Sequence, residues 1–145
     1  MVRPRADMDK LYGRIKAVGF AGLTVHERRY FAMWWFFAEV NNGGIHQYFF
    51  NDAGQLVMDV LDGFTDIGAV AIAGIVRRAI EVFPDGVVPS GQTERRAALA
   101  ASGSSGSAAL DSLTGEFYES TEDVSALLHS FVTANRSQFP ALDEA

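Results

Sequence analysis

The residue types best equipped for chemistry gather in the stretch EVNNGGIHQYFFND, Glu39 to Asp52. Two carboxylates (Glu39, Asp52), four amides (Asn41, Asn42, Gln47, Asn51) and an imidazole (His46) fall within it. Such a set could move protons, hold a metal between Glu39 and His46, or bind a small polar molecule through its amides. A structural reading competes with all three. Gly43 and Gly44 permit positive φ, and Asn41 and Asn42 tolerate left-handed backbone. The unpaired backbone groups of two helix ends would then explain the polarity. On that reading Glu39 meets the free N–H groups of a helix starting near Gly44, and Gln47 closes the network. Tyr48, Phe49 and Phe50 return the chain to the core. This corner uses every residue of the stretch and is preferred. A small-molecule site on Glu39, Asn41, Asn42 and Gln47 is the alternative.

Other catalytic patterns are missing. The histidines, His26, His46 and His129, lie far apart, and none belongs to a Glu-x-x-His or His-Glu-x-x-His pair. Cysteine is absent, which removes disulfides, thiolate catalysis and cysteine-bound zinc. No Gly-x-Ser-x-Gly elbow or phosphate-binding P-loop is present. The expectation is a non-enzymatic protein with no cofactor and no catalytic or metal-binding residues.

Charge narrows the partners. The net charge is −6, unevenly distributed. Residues 1–50 hold seven Lys/Arg against four acids, and residues 51–145 five against fourteen, so the halves carry +3 and −9. An acidic field of that kind repels phosphates and attracts basic partners. Direct nucleic-acid binding through Arg3, Arg5, Lys10, Arg14 and Lys16 is therefore disfavoured. The longest uncharged apolar run near the middle, Ile67 to Val76, has ten residues, against the roughly twenty that span a bilayer. A soluble, cytoplasmic protein without a membrane segment is expected.

These residues need a scaffold, and helical periodicity supplies it. Met8, Leu11, Tyr12, Ile15 and Val18 recur at three- and four-residue spacing. Thr24 and Glu27 form a capping-box pattern ahead of a central helix over residues 24–40. From Tyr30 to Ala38 that helix is apolar on every side, which places it inside the fold. A short helix follows with Leu56, Val57, Val60, Leu61 and Phe64 inward, and another starts at Asp66. Residues 102–107, SGSSGS, read as a flexible internal loop. The last helix carries Val124, Leu127, Leu128, Phe131, Asn135 and Phe139 in one stripe. The sum is an all-α fold, a single globular domain over 1–145 with about six to eight helices around the buried central one.

The pattern Glu39-x-Asn41-Asn42-Gly43-Gly44-x-x-Gln47-Tyr48-Phe49-x-Asn51 resembles the signature of a bacterial domain family named after the C-terminal domain of a DNA-mimic protein. IGAVAIAGIVRRAIEVFP, LDSLTGEFYES and VTANRSQF extend the resemblance over about residues 25–140. It implies an all-α homodimer in which carboxylates imitate DNA phosphates and occupy a DNA-binding transcription factor.

Mimicry needs carboxylates in rows, and helical neighbours at i, i+3 and i+4 stand about 5–6 Å apart. Asp59, Asp62 and Asp66 form one such set if the helix runs through Gly63. Glu116, Glu119, Glu122 and Asp123 form another. The reading is an acidic protein-interaction module that binds and inhibits a basic DNA-binding regulator. The alternatives are an immunity or neutralising protein against a toxin or nuclease, and the small-molecule-binding domain above.

Overall fold

The computed structural model describes residues 5–143. Arg3, and the side chain of Arg5, lie outside the described residues. Eight α-helices are present there and no strand: α1 Arg5–Val18, α2 Val25–Phe50, α3 Val57–Ile67, α4 Val70–Ile80, α5 Gln92–Ala101, α6 Gly103–Glu119, α7 Val124–Ala134 and α8 Pro140–Asp143. The all-α expectation holds.

α2 is the spine, and α3, α5 and α6 pack along it. Its start is the expected capping box. Thr24 Oγ1 accepts the Glu27 amide at 3.0 Å, and Glu27 Oε1 accepts the Thr24 amide at 2.8 Å. Glu27 is fully buried, and its other oxygen takes Arg14 Nε at 2.6 Å, joining α1 to α2. Thr24 Oγ1 also donates to the Gln138 carbonyl at 2.8 Å. Tyr30, Phe31, Ala32, Met33, Phe36 and Val40 of the helix are buried. It is not enclosed on all sides, however: Trp34, Trp35 and Phe37 are half-buried and Ala38 is exposed. Phe36 anchors the centre, its ring 4.9 Å from Tyr48, 5.8 Å from Phe64 and 5.8 Å from Phe117.

α3 runs unbroken through Gly63, where an added Cβ would come within 2.9 Å of the Met33 side chain. That glycine serves close packing on α2 rather than a break. The break comes later. Asp66 lies in the last turn of α3 and does not open the next helix. Gly68 takes φ 80°, with its amide on Thr65 O and that of Ala69 on Phe64 O. This is a Schellman closure, and α4 begins only at Val70.

The stretch 102–107 is not a loop. Residues 103–107 are the opening of α6, Gly106 is buried, and Ser102 Oγ donates to Leu99 O at 2.6 Å. A Cβ on Gly106 would overlap Ser102 Oγ and stand 3.4 Å from Val82, so that glycine lets the two helices meet at Ser102. α7 is shorter than the final stripe implied. It stops at Ala134, where Asn135 Nδ2 donates to Phe131 O at 2.8 Å. A 3-10 turn, Arg136–Gln138, then delivers Phe139 to the core.

Candidate interaction surface

The glycine pair does turn the chain. Gly44 has φ 84° and ψ 177°, which bends α2 between Asn42 and Ile45, in a region nearly restricted to glycine. Ile45, Tyr48 and Phe49 beyond the bend are buried. Glu39 Oε2 accepts Gln47 Nε2 at 2.9 Å and Asn51 Nδ2 at 3.0 Å. The amide network expected of Gln47 is present, with Asn51 as its third member. The expected contact of Glu39 with free backbone amides is not. Thr114 of α6 takes that place, its Oγ1 accepting Ile45 N at 3.0 Å while donating to Leu110 O at 2.9 Å. Tyr118 Oη donates to Val40 O at 2.7 Å, so α6 secures both sides of the bend.

Of the four residues of the small-molecule alternative, Glu39 and Gln47 bond to each other, while Asn41 and Asn42 are exposed, Asn41 beside a groove with Phe117 and Tyr118. Among the described residues no group of three or more His, Asp or Glu could hold a metal ion, so Glu39 and His46 form no such centre. Tyr48 is fully buried and its hydroxyl makes no hydrogen bond. Burial holds its pKa well above the ordinary tyrosine value. Tyr48 belongs to the packing of the bend.

The carboxylates of the two expected rows divide by what they touch. Asp66 bonds to Nη1 of Arg29, and Asp62 lies 3.7 Å from the same guanidinium. Glu116 accepts both arms of Arg78, at 2.8 and 3.0 Å. That bond holds the Glu116 carboxyl below the usual glutamate range and raises Arg78. Glu122 accepts Ala71 N at 2.8 Å and Ile72 N at 2.9 Å, closing the first turn of α4. Asp123 caps α7 through Ala126 N at 3.0 Å. Both follow from the free amides and positive end of a helix N-terminus. Asp59 and Glu119 make no such bond among the described residues. Five of the seven acids thus have partners within the fold, Glu122 and Asp123 at helix starts and the other three in surface ion pairs. α3, α6 and α7 contain no Lys or Arg, and the bases beside their acids, Arg29 and Arg78, come from α2 and α4.

Arg95 has no counterpart in the sequence reading. Only 1% exposed, it donates to Phe49 O at 2.6 Å, Asn51 O at 2.8 Å, Ser90 O at 2.9 Å and Pro89 O at 3.2 Å. Burial, chiefly, lowers its pKa, with Arg96 adding to the effect. No carboxylate bonds to it; the carbonyl-rich C-terminal end of α2 is the compensating negative pole. Arg96 joins it, with Nε on Phe50 O at 2.9 Å and its guanidinium 3.9 Å above the Phe50 ring. The signal in the sequence was the four-residue step from Arg95 to Leu99, which puts both on the inner face of α5.

No described helix is long and apolar enough to cross a membrane. Searches among curated proteins and among solved structures returned no match. A model of the DMP19-like protein family matches residues 21–135, most of the chain and all of the bend, α3, α4 and α6. The chain belongs to the DMP19-like protein family.

Proposed function

We propose that this protein is a non-enzymatic acidic interaction module of the DNA-mimic type, which binds a basic DNA-binding regulator and keeps it from DNA. Membership in a family named for a DNA-mimic protein carries the reading. The base-free helices support it, since α3 and α6 alone contribute Asp59, Asp62, Asp66, Asp111, Glu116 and Glu119. Asp59, Asp111 and Glu119, whose side chains bond to no described residue, are the carboxylates of that set left to meet a basic partner. The reading takes the acting form as a cytoplasmic homodimer, which doubles each row; light scattering of the purified protein tests the dimer.

Asp59 and Asp111 can be reversed without breaking any intramolecular bond described above. The experiment captures DNA-binding proteins on the tagged protein, elutes them with duplex DNA, and repeats both steps with Asp59→Lys/Asp111→Lys. A regulator that duplex DNA displaces and the reversed protein fails to hold is the expected result. Equal capture by the reversed protein, or indifference to duplex DNA, rejects mimicry.

A further inference from the structure

Two depressions adjoin at the carboxyl end of α6. One, of about 390 Å³, lies between α4 and α6 over Ile75, Arg78, Glu116 and Glu119. The other, of about 240 Å³, lies between α2 and the α6–α7 connection over Phe37, Asn41, Phe117, Tyr118 and Val124. Ser120 and Glu122 belong to both walls, so the two lie side by side, a carboxylate-lined half and an aromatic-lined half.

We propose that this paired groove docks an extended or helical segment of a partner protein, taking an apolar side chain against Tyr118 and an arginine or lysine beside Glu119. The inference rests on the reading of the protein as a module for basic partners, and gives that module a contact site. Charge selects the occupant. The groove holds three carboxylates and one guanidinium, a net −2. Glu116 is engaged by Arg78 and Glu122 by the start of α4, whereas Glu119 bonds to nothing else described. An incoming cation therefore meets Glu119 first. A second copy placed groove to groove would set −2 against −2, and phosphates would be repelled likewise.

The apolar half is equally defined. Tyr118 is 56% exposed, yet its hydroxyl is tied to Val40 O and its ring stands edge-on to Phe117 at 5.6 Å. A large aromatic ring fixed at its tip loses little freedom on contact, which is what an anchor in an interface requires. The walls are fixed as well. Glu122 clamps α4, Asp123 caps α7, and Thr114 holds the bend of α2.

The probe is a short synthetic peptide with leucines flanked by arginines, titrated into ¹⁵N-labelled protein beside a version carrying glutamate for arginine. The expected result is saturable shifts at Phe117–Val124, Asn41 and Ile72 with the arginine peptide alone. Glu119→Gln should weaken binding about two- to fivefold, the equivalent of losing one partly exposed ion pair. Tyr118→Phe, which keeps the ring but frees its tip, should weaken binding slightly, and Tyr118→Ala should lose it. Shifts centred on α3 or α7, no saturable shift, or unchanged affinity in Glu119→Gln and Tyr118→Ala overturn the proposal. The underlying reading fails separately. If a captured regulator is lost from Asp59→Lys/Asp111→Lys but held by Glu119→Gln/Tyr118→Ala, mimicry stands and the groove is wrong. If the peptide binds the groove while no DNA-displaceable regulator is captured, the groove stands and mimicry is wrong.

Discussion

Replacing Arg95 by methionine keeps much of the side-chain volume and removes four donated hydrogen bonds. Charged hydrogen bonds contribute about 1.5–3 kcal/mol each, but their sum overstates the loss, because burying the guanidinium itself costs several kcal/mol. The carbonyls left behind set the magnitude. Pro89 and Ser90 lie in a connection that solvent reaches, so water replaces the arginine there. Phe49 O, at the end of α2, stays covered, and an orphaned buried acceptor costs about 1–3 kcal/mol, whereas Asn51 O keeps the Gly54 amide at 3.2 Å and loses only the charged bond, about 1.5–3 kcal/mol. With imperfect packing of the methionine, Arg95→Met should destabilise the fold by about 3–5 kcal/mol. Total stabilities of about 5–15 kcal/mol are usual, so this is a large fraction. Urea denaturation followed by tryptophan fluorescence measures it, with a midpoint lower by about 2 M for an m-value near 2 kcal/mol/M. Arg95→Lys, a cation without the planar fork, should lose about half as much. Gly54→Ala gives an independent check, since its Cβ would stand 2.7 Å from Arg95 Nε and 3.0 Å from Phe49 Cα and O. Its cost should be smaller in the Arg95→Met background than in the native one, a coupling that contacting residues show. A loss under about 1 kcal/mol for Arg95→Met, or strict additivity with Gly54→Ala, would refute the assignment of Arg95 as the closure of α2.

Two further outcomes follow from the bend and the surface pair. Gly44→Ala forces a side chain into φ 84° and ψ 177°, a strain of about 1–3 kcal/mol; the melting temperature should fall by roughly 2–4 °C per kcal/mol, and an unchanged one would show that the bend relaxes freely. Glu116 should titrate below the ordinary glutamate value by carbon-detected NMR, because Arg78 bonds to it. Its folded pKa is depressed, so the pair's contribution is complete above the unfolded carboxylate value and disappears as pH falls through the folded one. Arg78→Met should return the titration to the ordinary value, and no change on that substitution removes the stated cause.

Local rules carried much of the fold. The capping box at Thr24 and Glu27 and the inward stripe of α3 depend on residues within a few positions of one another. So does the turn at Gly43–Gly44. Composition misled at 103–107, where serines and glycines open a helix: Gly103 takes φ 63° at its start and Gly106 is buried against Ser102 of the preceding turn. It misled again at Gly68, whose left-handed closure divides what periodicity joins. The acids were legible as residues but not as contacts. Arg29 reaches Asp66 from 37 residues away, Arg78 reaches Glu116 from 38, and Glu122 reaches Ala71 from 51. No spacing rule spans such separations, because packing alone chooses the pairs. Arg95 escaped notice for a related reason. An arginine in a polar segment reads as solvent-facing until the helix end that receives it, 46 residues earlier, is known.

The hydroxyl of Thr24 bears on where this fold can be cut. It ties the first turn of α2 to Gln138, beyond the end of the family match at residue 135. Phe139, just after it, is fully buried, with its ring 5.7 Å from Tyr30 and 6.0 Å from Phe131. Before residue 21, Met8 and Leu11 fill the same core. A fragment trimmed to the shared segment would open two holes in its interior and unlatch its longest helix. The boundary that sequence similarity draws is therefore narrower than the one that packing draws.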